Sequence, residues 1–140
     1  MEIEYIVSKL LRQFNTRNPF SIARYLNIEV LFTELGSSCG CYLYLKKHRC
    51  IIINSELNEY EQRIVMAHEL GHAVLHTKMN YYFMRNKTYL NTSKYEREAN
   101  TFSAYLLISD DDIEQCDTIG HLAQMAGVPQ YIAELRIKRH

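Results

Sequence analysis

Five residues near the middle of the chain, His68-Glu69-Leu70-Gly71-His72, lie inside an apolar run that fits a largely enclosed helix. Ile64, Val65, Met66 and Ala67 precede them and Ala73, Val74 and Leu75 follow, leaving little of the helix circumference for water. Asn58 and Glu61 have capping-box spacing, and the periodic run continues to about His76. On such a helix two residues four apart stand about 40° apart around the axis and roughly 6 Å apart along it. Both imidazoles therefore face one point. A tetrahedral zinc site asks this of two ligands, each neutral ring donating a nitrogen at about 2.0–2.1 Å. Glu69 lies about 100° round from His68, too far to share that coordination but able to reach a water beside the metal as a base. The chain holds 6 His in 140 residues, and this composition allows only about 0.02 chance matches to H-E-x-x-H. A solvated face of salt-bridging side chains is the bland alternative, and the apolar flanks weigh against it, because buried imidazoles need partners.

Catalytic zinc sites usually take three protein ligands and leave a fourth position to water. His76 continues the same stripe but stands about 12 Å along the axis from His68, which suits a supporting role better than ligation. The stronger candidate is Glu96, in a segment predicted as a helix from about Ser93 to Leu107. Glu96, Ala99, Asn100 and Ser103 share a face of small or polar side chains suited to close packing against the histidine helix. From that face Glu96 would reach the metal, and Asn100 could accept a hydrogen bond from the second ring nitrogen of a ligating histidine. Two alternatives stay open. Ser93 and Glu96 also have capping-box spacing, which would turn the carboxylate back to the helix start. Glu98 is the other contender for the metal, read otherwise as an exposed partner for a neighbouring basic residue.

The surrounding elements predict an α+β domain. Ile3, Ile6, Val7, Leu10, Leu11 and Phe14 form one stripe of a first helix over residues 2 to about 14. Asn18-Pro19 opens a short helix through Ser21 to Leu26. IEVLFTEL, ending at Gly36, reads as a strand; Cys41 to Leu45 and Cys50 to Ile53 read as a hairpin around Lys46-Lys47-His48-Arg49. Short connections predict a small three-stranded antiparallel sheet packed against the active-site helix, with helices before and after it. Tyr81 to Thr92 reads as a loop, Asp110-Asp111-Asp112 as an acidic helix start, and residues 118–140 as a helical pair parted at Gly127-Val128-Pro129. Residues 1–140 are expected to form a single domain.

Lys plus Arg equals Asp plus Glu at 16 each, which argues against direct nucleic-acid binding. The amino terminus lacks a secretory signal and no apolar run approaches the roughly 18 residues of a membrane span, so a cytoplasmic location is expected. Cys39, Cys41, Cys50 and Cys116 are then read as free thiols.

H-E-L-G-H, the downstream Glu96-x-x-Ala99-Asn100-x-Phe102 segment and the Asn18-Pro19-Phe20 entry to a short helix together resemble the ImmA/IrrE family of metallo-endopeptidases. The resemblance spans most of the chain. It implies a minimal gluzincin-like fold, one Zn2+ held by His68, His72 and Glu96, and Glu69 as catalytic base. It also implies a protein substrate, a helix-turn-helix repressor of a phage or mobile element. This chain departs from the family at Ile108-Ser109-Asp110, where a proline is expected after Leu106-Leu107, and with little beyond the catalytic core it is expected to lack the sensing domains of some relatives.

The expected chemistry is metal-assisted amide hydrolysis, with the substrate extended along a free sheet edge at Cys41 to Leu45 or Cys50 to Asn54. Tyr81, Tyr82, Tyr89 and Tyr105 are candidate oxyanion donors. Leu122 to Val128 has a helix-turn-helix flavour, read as ordinary packing of short helices, and Arg136, Lys138, Arg139 and His140 make a basic end. The alternative function is a metal-stabilised module that captures a repressor or DNA without cutting; Glu69 argues against it, since a purely structural site needs no base between its ligands.

Overall fold

The computed structural model describes residues 2–84 and 93–138. Seven helices and four strands occur among them, in the order α1 (Ile3–Phe14), α2 (Pro19–Tyr25), β1 (Glu29–Thr33), β2 (Ser38–Leu45), β3 (His48–Asn54), α3 (Glu59–Leu75), β4 (Tyr81–Met84), α4 (Lys94–Leu107), α5 (Asp110–Glu114), α6 (Ile119–Ala126) and α7 (Gln130–Ile137). The architecture is α+β, with the sheet on one side of α3 and α4 on the other.

Local chemistry accounts for most boundaries. Ile3, Val7 and Leu10 bury the stripe of α1. Asn18 accepts hydrogen bonds from the amides of Phe20 and Ser21 at the start of α2, with Pro19 in the first turn where no amide donor is needed. Asn58 and Glu61 form the expected reciprocal capping box on α3. The hairpin turns on Lys46 and Lys47 alone, both left-handed at φ 51° and 65°, so His48 and Arg49 already belong to β3.

The sheet corrects three expectations. Its order is β1-β3-β2-β4, and β1 pairs with β3 in parallel rather than antiparallel. Two tight reversals make the first and third strands run the same way, and β3 inserts beside β1 instead of lying outside β2. Composition explains the choice: Cys50-Ile51-Ile52-Ile53 is apolar on both faces, as an interior strand requires, whereas β1 is mostly exposed and suits an edge. Second, the segment expected as a loop from Tyr81 begins with β4, antiparallel to β2 and bulged between Ser38 and Gly40. Tyr81-Tyr82-Phe83-Met84 is a run of β-formers and aromatics that carried the signal. Third, β2 and β3 are interior, so neither Cys41 to Leu45 nor Cys50 to Asn54 offers the free edge expected of them, and among the described residues the edge on the β2 side is β4.

Tyr42, Ile51 and Ile53 are fully buried on the face beneath α3, in a core that continues through Phe102 and Leu106 of α4 to Leu122, Ile132 and Ala133 of the tail. Arginines stitch the tail into this core. Arg63 of α3 donates to the carbonyl of Gly127 at 3.1 Å, and Arg136 of α7 donates to that of Ile108 at 3.0 Å. Of the helix-turn-helix-like segment, Leu122, Ala123 and Val128 are buried in this core, while Gln124 and Met125 are exposed. Arg139 and His140 of the basic end lie outside the described residues. No helix among the described residues is long and apolar enough to cross a membrane.

Candidate metal centre

Helix α3 is buried from Ile64 through Ala73, on every side, because the sheet covers one flank and α4 the other. Two glycines set how closely those layers approach. A Cβ on Gly71 would stand 3.2 Å from the Cα and from the carbonyl oxygen of Ala99, so α3 and α4 meet backbone to backbone. On the sheet side, a Cβ on Gly40 would lie 2.7 Å from Val65 and 3.7 Å from the Glu69 side chain. Gly40 thus makes room for Val65 and the Ile52 carbonyl, and so lets α3 lie close over the sheet with Glu69 in ordinary contact above it.

The close approach of α4 brings Glu96 to both histidines. Its Oε1 lies 2.5 Å from Nε2 of His72 and its Oε2 3.4 Å from Nε2 of His68. One ligand-type atom from each of the three residues falls within 4.8 Å of the others, the one buried group of this kind among the described residues. Glu96 starts α4 in a position where Ser93 caps its amide at 3.3 Å, yet its carboxylate faces the histidines rather than turning back to the cap. Glu98 stays outside the cluster. Its basic partner is a histidine, Oε1 lying 2.8 Å from Nε2 of His76, and its side chain is largely buried where an exposed one was expected.

The remaining ring nitrogens are also engaged. Nδ1 of His68 lies 2.8 Å from Oδ1 of Asn100, the contact expected of that side chain, and Nδ1 of His72 lies 3.0 Å from Nδ1 of His76. With each Nδ1 occupied by a support, both Nε2 atoms are presented to one point. Two imidazoles and a carboxylate so arranged are a donor set for a divalent metal.

Glu69 has a different character. It is fully buried, and among the described residues neither carboxylate oxygen has a hydrogen-bond partner. Burial, reinforced by the charge of Glu96, pushes its pKa well above the ordinary carboxylate value. Burial acts on Glu96 in the same sense, but its hydrogen bonds to His68 and His72 override it and hold that carboxyl far below. Burial lowers His72 to about 4 despite its bond to Glu96, keeping the ring neutral. The two carboxylates, each feeling its own surroundings, are thereby driven in opposite directions, Glu96 to stay ionised and Glu69 to take a proton. A buried carboxylate with no hydrogen-bond partner among the described residues, beside a donor set of two imidazoles and a carboxylate, fits a site built around a cation.

Of the tyrosines, Tyr105 lies nine residues beyond Glu96 and stacks under the Arg136 guanidinium at 4.7 Å, away from the cluster. Tyr89 lies outside the described residues, and Tyr81 and Tyr82 are described as backbone of β4. Cys39 and Cys41 are buried and Cys50 and Cys116 half-buried, all as free thiols. Sequence reasoning missed the link from His76 to Glu98 and the role of Gly40. The first depends on how two helices cross, and the second on which face of β2 meets α3.

The sequence profile of the IrrE N-terminal-like domain, a peptidase family, matches residues 23–138. An "Uncharacterized immunity region protein 2" of Bacillus phage phi105 is 40% identical over 139 residues, covering 96% of this chain and 88% of that protein. "Metallopeptidase ImmA" of Bacillus subtilis (strain 168) is 24% identical over 143 residues, covering 98% of this chain and 85% of that protein.

Proposed function

The chain belongs to the IrrE N-terminal-like peptidase family, and from that premise we propose that it is a cytoplasmic zinc endopeptidase whose substrate is a helix-turn-helix repressor of a phage or mobile element. The observation that carries the catalytic reading is the convergence of His68, His72 and Glu96 beside the buried carboxylate of Glu69, which has no hydrogen-bond partner among the described residues. In this reading His68, His72 and Glu96 hold one Zn2+, favoured by a donor set of two imidazoles and one carboxylate. Zinc, when bound, lowers the pKa of a water and polarises the scissile carbonyl.

The chain's own residues do the rest. Glu69 takes a proton from the attacking water as its oxygen bonds to the scissile carbonyl carbon, then delivers that proton to the amide nitrogen as the C–N bond breaks. Its raised pKa suits a group that must both accept and return a proton. Glu96 remains ionised throughout, so the two carboxylates do not exchange roles. An extended substrate would add to the sheet at β4, whose Phe83 pairs with Gly40 directly below Glu69.

The repressor substrate is supported by the family resemblance and by the name of the phage relative, an immunity region protein. Incubating the zinc-loaded wild type and Glu69→Gln with the repressor encoded beside the chain, and weighing the products by mass spectrometry, tests it. Two fragments with the wild type and none with Glu69→Gln are expected. An intact repressor in both, with metal bound, would leave the non-cutting binding module as the better reading.

A further inference from the structure

Two histidine ligands on one helix need their rings fixed, and this chain fixes them by different means. His68 leans on Asn100, a single neutral acceptor. His72 leans on His76, and His76 in turn on Glu98. We propose that Glu98 and His76 form a positioning relay that sets the tautomer, orientation and donor strength of His72 as a metal ligand.

This inference rests on the zinc reading, and the proton bookkeeping follows from it. A neutral imidazole carries one ring proton. For Nε2 of His72 to face a metal with its lone pair, the proton sits on Nδ1, which must then find an acceptor. Nδ1 of His76, at 3.0 Å, accepts if the proton of His76 sits on Nε2. A carboxylate at 2.8 Å from that Nε2 stabilises this tautomer, because an ionised carboxylate can only accept. Every link then runs one way, from His72 to His76 to Glu98, and negative charge at the far end strengthens His72 as a donor to a cation.

The surroundings hold His76 for this task. It is the C-cap of α3, leaving the helix at φ −130° and ψ 48°, while its amide still donates to the carbonyl of His72 at 2.8 Å. The next residue is clamped: Thr77 Oγ1 donates to the carbonyl of Ala73 at 2.8 Å, and the hydroxyl of buried Tyr42 donates to the carbonyl of Thr77 at 2.5 Å. The Tyr95 ring meets His76 edge-on at 4.9 Å. The first turns of α4 therefore supply the ligand Glu96, the cover Tyr95 and the anchor Glu98 together.

The test is Zn2+ affinity, measured by competition with a chromophoric chelator on the full chain, alongside thermal melts of the metal-free proteins. His76→Phe keeps a ring beside Tyr95 but removes the acceptor, and should weaken zinc binding about 10- to 100-fold, the usual loss for groups behind a metal ligand. His76→Asn offers an amide oxygen near the position of Nδ1, as Asn100 does for His68, and should restore most of that loss. Glu98→Gln should weaken binding by an intermediate factor with an unchanged metal-free melt. Equal affinities in the wild type, His76→Phe and Glu98→Gln would overturn the relay, and so would a loss in His76→Phe that His76→Asn fails to restore. A wild type that binds no zinc would instead overturn the metal reading beneath it.

Discussion

Gly71 lies against Ala99 so closely that a Cβ would come within 3.2 Å of both the Cα and the carbonyl oxygen of Ala99. A glycine in mid-helix costs roughly 1 kcal/mol relative to alanine. Here it lets α4 deliver Glu96 to the histidines. Gly71→Val should therefore destabilise the protein by about 1–3 kcal/mol through overpacking, despite valine's better helix propensity. Zinc affinity should fall as well, since any retreat of α4 carries Glu96 with it. Denaturant midpoints and chelator competition on the same variant check both halves.

The Glu69 carboxylate is buried without a hydrogen-bond partner among the described residues, an arrangement that costs stability unless a cation is near. Glu69→Gln should raise the stability of the metal-free protein at neutral pH by about 1–3 kcal/mol while abolishing turnover. With zinc bound the gain should shrink, because the wild-type charge then has a favourable neighbour. Thermal melts with and without chelator read the difference.

Tyr42 gives the fold a specific alkaline limit. Burial pushes its phenol from 10 up to about 12, outweighing the opposing charge of Arg49. A group whose folded pKa is raised contributes stability that is fully present below its unfolded value and is lost as pH rises towards the folded one. The window is thus pH 10 to about 12, and the loss is on the order of 2 kcal/mol. Tyr42→Phe should flatten stability across that window, at a cost of about 1 kcal/mol at neutral pH for the lost bond to the Thr77 carbonyl. Urea unfolding at several pH values measures it.

What could be read from the chain divides along physical lines. The start of α3 was legible because Asn58 and Glu61 cap it through local bonds, and the facing of His68 and His72 because helix geometry alone dictates it. The Glu96 face of α4 was legible for the same reason: Ala99, Asn100 and Ser103 are small or polar at helical spacing, and all are buried. Strand neighbours were not, since β3 beside β1 is decided by competition among strands for the interior. The partner of Glu98 was equally hidden, because it is fixed only when the end of α3 meets the first turns of α4.

The most direct test of the metallopeptidase account is the zinc content of purified chains bearing single substitutions at the cluster. Glu69→Gln should hold one zinc per chain, and Glu98→Gln should also fill at saturating zinc. His72→Ala and Glu96→Ala should hold far less than one. A full complement of zinc in Glu96→Ala, or none in the wild type, would contradict the assignment of His68, His72 and Glu96 as the metal's ligands.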